Sequence, residues 1–143
     1  MNLSAENISG AAFLSRIVEA PKFAADSAGA GQLAALTGDL AGRLTELECA
    51  LSDPRAARLI AGTFESSPYL TALIKRDPSV LQDILTLPPE AVFAQATADM
   101  QASMATETDV AAAKRHLRRY KSKVALLTAL ADLGGVWPVM TVT

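Results

Sequence analysis

The chain has 143 residues, a formal charge of −2, and 50% hydrophobic but only 5% aromatic side chains. This length buries a core without staples, and the single cysteine, Cys49, excludes an internal disulfide and a secreted cysteine framework. Ala and Leu supply most of the apolar surface while β-branched and aromatic residues are sparse, which predicts an all-α fold: an irregular bundle of about six helices ending in one long helix.

Residues 1–31 form a poorly defined N-terminal arm. Phe13, Leu14, Ile17 and Val18 are spaced for a short helix that Pro21 would end, and residues 26–31 read as a flexible connector. Leu33, Leu36, Leu40, Leu44, Leu47 and Leu51 follow at steps of three and four, which predicts a single core helix with a leucine stripe. Asp53-Pro54, Ser67-Pro68 and Asp77-Pro78 each read as a helix start. The Asp or Ser accepts from a first-turn amide, and Pro at the first helical position gives up no bond. Pro88-Pro89 opens another helix, with Val92, Phe93, Ala96, Met100 and Met104 on one side. The last predicted helix runs from 107 to 133, about 40 Å long, with Thr106 and Asp109 as a capping box and Gly134-Gly135 as its left-handed stop.

Charge divides unevenly along the chain. Residues 1–105 carry seven Lys and Arg against twelve Asp and Glu, whereas residues 106–143 carry six against three. Lys114, Arg115, Arg118, Arg119, Lys121 and Lys123 surround the core-spaced Leu117, Tyr120 and Val124. Such a cluster can be a phosphate-binding footprint, but the expectation here is a solvated face that pairs with acidic neighbours. Without an aromatic stacking platform beside it, nucleic-acid binding is disfavoured.

No set of residues for chemistry emerges. His116 is the only histidine, so a His/Cys pair would have to reach Cys49, which is expected to be a small buried thiol in the leucine helix. Glu46 and Glu48 imitate a metal couplet, yet residues two apart on a helix do not face each other. Gly134-Gly135 is too short to cradle a phosphate, and Trp137-Pro138 is expected to pack at a turn. We therefore assign no catalytic, cofactor-binding or metal residue. No run approaches the ~18 apolar residues of a membrane span. Met1 to Gly10 lacks the charged and apolar regions of a signal peptide, so the expected location is cytoplasmic.

Leu117-Arg118-Arg119, Lys121, Val124-Ala125-Leu126-Leu127, Ala129-Leu130 and Asp132-Leu133-Gly134-Gly135-Val136-Trp137 resemble a segment of the glutamine synthetase adenylyltransferases. These bifunctional enzymes are also called glutamine synthetase adenylyl-tyrosine phosphorylases. Ser67-Pro68-Tyr69-Leu70 through Arg76-Asp77-Pro78 and 81–85 are similar to the stretch that precedes it there, and the likeness covers roughly residues 59 to 143. The resemblance implies an enzyme of nitrogen regulation with two nucleotidyltransferase-like halves. One half removes AMP from a tyrosine of glutamine synthetase by phosphorolysis, and the other attaches it from ATP. Glutamine synthetase, a PII signal protein, ATP and Mg²⁺ are implied for that whole enzyme.

Its metal-holding carboxylates belong to a Gly-rich strand motif ending in Asp-x-Asp, and no Asp-x-Asp occurs in this chain. On this reading residues 32–143 are a helical, catalytically empty lead-in to a nucleotidyltransferase-like domain absent from this chain. Exposed apolar side chains are then expected on the last helix or near Trp137, with self-association through that surface. The alternative is a stand-alone helical module that binds an acidic partner or nucleic acid through its basic C-terminal helix.

Overall fold

The computed structural model describes residues 12–18, 27–40 and 42–136. Within them a short 3-10 turn, Phe13–Arg16, is followed by seven α-helices. These are α1 (Ala28–Leu40), α2 (Thr45–Leu51), α3 (Pro54–Ser66), α4 (Pro68–Arg76), α5 (Pro78–Thr86), α6 (Pro89–Thr106) and α7 (Val110–Leu133). No strand occurs among the described residues, and the architecture is an all-α bundle.

The three Pro junctions form as their local chemistry dictates. Asp53 Oδ1 accepts from the Arg55 amide at 2.8 Å, Ser67 Oγ from Leu70 at 3.2 Å, and Asp77 Oδ1 from Ser79 at 3.2 Å. The Arg55 side chain, followed by its amide, holds the Asp53 carboxyl below the usual carboxylate range.

The leucine stripe is divided between two helices. Gly42 takes a left-handed φ of 75°, and its amide donates to Glu48 Oε1 at 2.9 Å, so α1 stops at Leu40 and α2 starts at Thr45. Leu36, Leu40, Leu47 and Leu51 still reach the core, because both helices turn their apolar face to it. Residues 28–31, expected to be a connector, form the first turn of α1. Ser27 Oγ accepts from Ala30 there, and the Glu65 carboxylate accepts from Gly29. Gly29 lies where α1 crosses α3 so closely that an added Cβ would sit 2.2 Å from the Ala61 carbonyl oxygen.

One core gathers Phe13, Leu36, Leu47, Leu59, Ile60, Ile74, Leu81, Ile84 and Leu85 with Leu126, Leu127 and Leu130 of α7. Part of the N-terminal arm therefore packs with the bundle. Phe13 is fully buried, its amide donates to Leu87 O at 3.0 Å, and the Val18 amide donates to Gly134 O at 2.8 Å. Arg16 locks the turn to α6 through a two-pronged pair with Glu90 at 2.6 and 3.0 Å. Pro21, Trp137 and Pro138 lie outside the described residues.

At α7 the caps differ from the expected box. Thr106 ends α6, and Asp109 alone is the N-cap, accepting from the Ala112 amide at 3.2 Å. Its 24 residues make a rod of about 36 Å. At the far end Gly135 adopts φ 65°, and the amides of Val136 and Gly135 donate to Ala131 O and Asp132 O at 2.9 and 3.2 Å, closing a Schellman stop.

Candidate functional site

Helix α7 occupies two environments. Leu126, Leu127, Leu130 and Ala131 are buried, whereas no residue of α7 before Leu126 is, and no residue of α6 after Ala96 is. The end of α6 and the start of α7 thus form a two-helix arm that overhangs the core. Tyr120 Oη bonded to Thr97 Oγ1 at 3.1 Å and His116 Nε2 against Glu107 Oε2 at 3.3 Å tie the arm together. Exposed apolar side chains do remain on the last helix, at Val110 and Leu117. Leu126 and Leu130 do not join them, because that end of α7 is packed into the core.

Beneath the arm lies a cleft of about 710 Å³. One wall is α7, contributing Arg115, Arg118, Arg119, Ser122 and Lys123. Beside it α6 contributes Asp99, Met100 and Ser103. The junction of α4 and α5 brings Arg76, Asp77, Ser79, Val80 and Asp83, and Leu73 and Leu126 add apolar surface. The volume falls within the range of small-molecule sites.

The expected pairing of the basic face with acidic neighbours is not made. Ion pairs among the described residues are Arg16–Glu90 and Arg55–Asp53, with His116 hydrogen-bonded to Glu107, and none involves a Lys or Arg of α7. Asp77, Asp83 and Asp99 share the cleft, but Asp77 is engaged as the α5 cap and Asp99 accepts from Gln95 Nε2 at 2.8 Å. Arg115, Arg118 and Arg119 stand exposed along the cleft. Lys114 and Lys121 project elsewhere on α7 and do not line it.

Other sequence candidates are dispersed. Cys49 is exposed, not buried as expected: Leu47, Ala50 and Leu51 turn toward the core and leave the thiol on the outer side of the short α2. His116 lines the cleft, whereas Cys49 does not. Glu46 is exposed, and Glu48 serves the Gly42 turn. Among the described residues no three His, Cys, Asp or Glu side chains converge as a metal site. No helix among them is long and apolar enough to cross a membrane. Sequence reading missed the contribution of Arg76, Asp77 and Ser79 to the cleft. Their local signal was only a helix start.

The fold and its cleft place the chain in the class of all-α segments that present a cationic groove between helices. The family model for glutamate-ammonia ligase adenylyltransferase matches residues 57–143. The chain belongs to that family. It is 36% identical over 135 residues, 94% of its length, to a bifunctional glutamine synthetase adenylyltransferase/adenylyl-removing enzyme of Bradyrhizobium diazoefficiens. Likewise named proteins of two Rhodopseudomonas palustris strains are 35% identical over 100% of the chain and 41% identical over 80% of it. The second alignment extends the likeness through the N-terminal arm. The chain spans only 14%, 15% and 11% of the lengths of these three relatives. No solved structure matches.

Proposed function

We propose that this chain is the helical N-terminal segment of the deadenylylating half of a bifunctional glutamine synthetase adenylyltransferase. It does no chemistry itself and serves as scaffold and contact surface for a nucleotidyltransferase-like domain. One observation carries the reading: the family match covers residues 57–143, yet the chain spans 14% of such an enzyme and contains no Asp-x-Asp. On this reading residues 32–143 are the lead-in and residues 1–31 an arm partly folded back onto it. The parent enzyme acts on glutamine synthetase in nitrogen regulation, under a PII signal protein, in the cytoplasm.

The Mg²⁺ of the parent enzyme is poorly suited to the cleft among the described residues. The cleft's carboxylates, Asp77, Asp83 and Asp99, come from α4–α5 and α6 and share their space with Arg76, Arg115, Arg118, Arg119 and Lys123. A divalent cation needs a compact set of anionic oxygens, and guanidinium groups around it oppose binding. The residues present do not fit the metal, and no catalytic step runs through them.

The test is direct: the 143-residue chain is incubated with adenylylated glutamine synthetase, phosphate and Mg²⁺, and ADP is assayed. No release above the protein-free control is expected. Measurable ADP would overturn the non-catalytic assignment. Sedimentation across a concentration series reads the contact-surface role, with concentration-dependent self-association expected and a strict monomer counting against it.

A further inference from the structure

Arg115, Arg119 and Lys123 sit at i, i+4 and i+8 of α7 and line one cleft. They form a row of about 12 Å with one cation per helical turn. Like charges at this spacing destabilise a helix, and none of the three has an ion-pair partner among the described residues. Arg118 flanks the row, and Arg76 faces the same cleft from the end of α4. Between the walls, Val80 and Met100 offer partly exposed apolar surface, whereas Leu73 and Leu126 are buried in the core.

From this geometry we propose that the cleft between the α6–α7 arm and the α4–α5 junction is a docking groove for an acidic amphipathic helix of a protein partner. Carboxylates at i, i+4 and i+8 of such a helix advance by the same rise as the cation row, so each meets one side chain of α7. Its apolar residues then face Val80 and Met100, which are only partly buried, in the helix-in-groove mode of recognition. Asp77, Asp83 and Asp99 lie in the same groove and suit cations on the partner's other flank. The same three carboxylates oppose a polyphosphate, whose charges are also set closer together than one helical turn. Charge complementarity and register thus favour a polypeptide over a phosphate ligand. The inference holds whether or not the chain is the segment proposed above.

The probe is a fluorescently labelled peptide of about 18 residues, long enough to be helical, with Glu at i, i+4 and i+8 and Leu on the adjoining face. Anisotropy is read against the 143-residue chain. Saturable binding that weakens with salt is expected. The pair Arg115→Gln/Arg119→Gln should raise Kd by about tenfold or more, the loss typical of removing partners from close charge pairs. Arg118→Gln/Lys123→Gln is a second cleft pair with the same expectation. Lys114→Gln/Lys121→Gln removes equal charge outside the cleft and should change Kd by less than about threefold, the scale of exposed-pair energies.

Circular dichroism checks that each variant is folded. Absent saturable binding, equal losses in all three pairs, or equal binding of a peptide with Lys in place of Glu would each overturn the proposal. Tripolyphosphate binding tightly at the cleft while the peptide does not would replace it with a phosphate site.

Discussion

Replacing Gly29 by Ala tests the close crossing of α1 and α3. An added Cβ would lie 2.2 Å from the carbonyl oxygen of Ala61, 2.8 Å from Glu65 Oε2 and 3.1 Å from Glu65 Cβ, where ordinary contact begins at 3.4 Å. The Ala61 oxygen belongs to the backbone of α3 and has no rotamer to escape into, so α1 must back away by about 1 Å. Overpacking of this kind costs about 1–3 kcal/mol. Retreat of α1 also breaks the bond from the Gly29 amide to Glu65, worth about 1 kcal/mol. The gain in helix propensity from Gly to Ala returns about 1 kcal/mol. The net expectation is a loss of about 1–3 kcal/mol, lowering Tm by roughly 2–4 °C per kcal/mol.

Gly31 is the internal control. It occupies the same helix, but an added Cβ there meets no heavy atom within 4 Å. Gly31→Ala should therefore gain up to about 1 kcal/mol from propensity alone. Urea unfolding followed by circular dichroism reads both variants. Gly29→Ala as stable as the parent, or shifted in the same direction as Gly31→Ala, would refute the tight α1–α3 crossing.

The two environments of α7 predict unequal truncations. Leu130→Ala, at a fully buried position, should destabilise by about 2–5 kcal/mol, whereas Leu117→Ala, 36% exposed, should stay within about 0.5 kcal/mol. Equal effects in urea unfolding would contradict an arm that overhangs the core. Arg119→Glu converts two like-charge i, i+4 contacts, with Arg115 and Lys123, into attractive ones. It should raise stability by several tenths of a kcal/mol while abolishing acidic-peptide binding. Loss of stability together with loss of binding would show that Arg119 is needed by the fold and is not held for a ligand.

What the sequence made legible was mostly local chemistry. Asp53, Ser67 and Asp77 cap the helices they precede because the Asp/Ser-Pro pair contains both the acceptor and the starting φ. The leucine period reported a common apolar face but could not show the break at Gly42. Two helices joined by a short turn can present the same period to one core, and the bond from Gly42 to Glu48 that marks the turn spans six residues. Thr106 and Asp109 are both capping residue types, so choosing between them depended on where α6 ends. The cation row was visible as spacing. Its cleft was not, since Arg76, Asp77 and Ser79 are brought to α7 only by tertiary packing.

An unpaired cation row has to be weighed against what stability alone would favour. The outer half of α7 buries no side chain and is held through partly buried contacts with α6, so its charge pattern bears on its stability. One acidic residue at position 119 would turn repulsion into support at no packing cost. None of the facing carboxylates forms an ion pair with the row: Asp77 caps α5, Asp99 accepts from Gln95, and Asp83 is in no ion pair among the described residues. Meanwhile the buried end of α7 carries four core residues and a closed Schellman stop, so the helix is anchored from that end. Firm anchoring allows the exposed half to keep an unfavourable charge pattern. A segment arranged in this way holds its cations ready for an external anion, and the family match places the residues that do so inside the shared region 57–143.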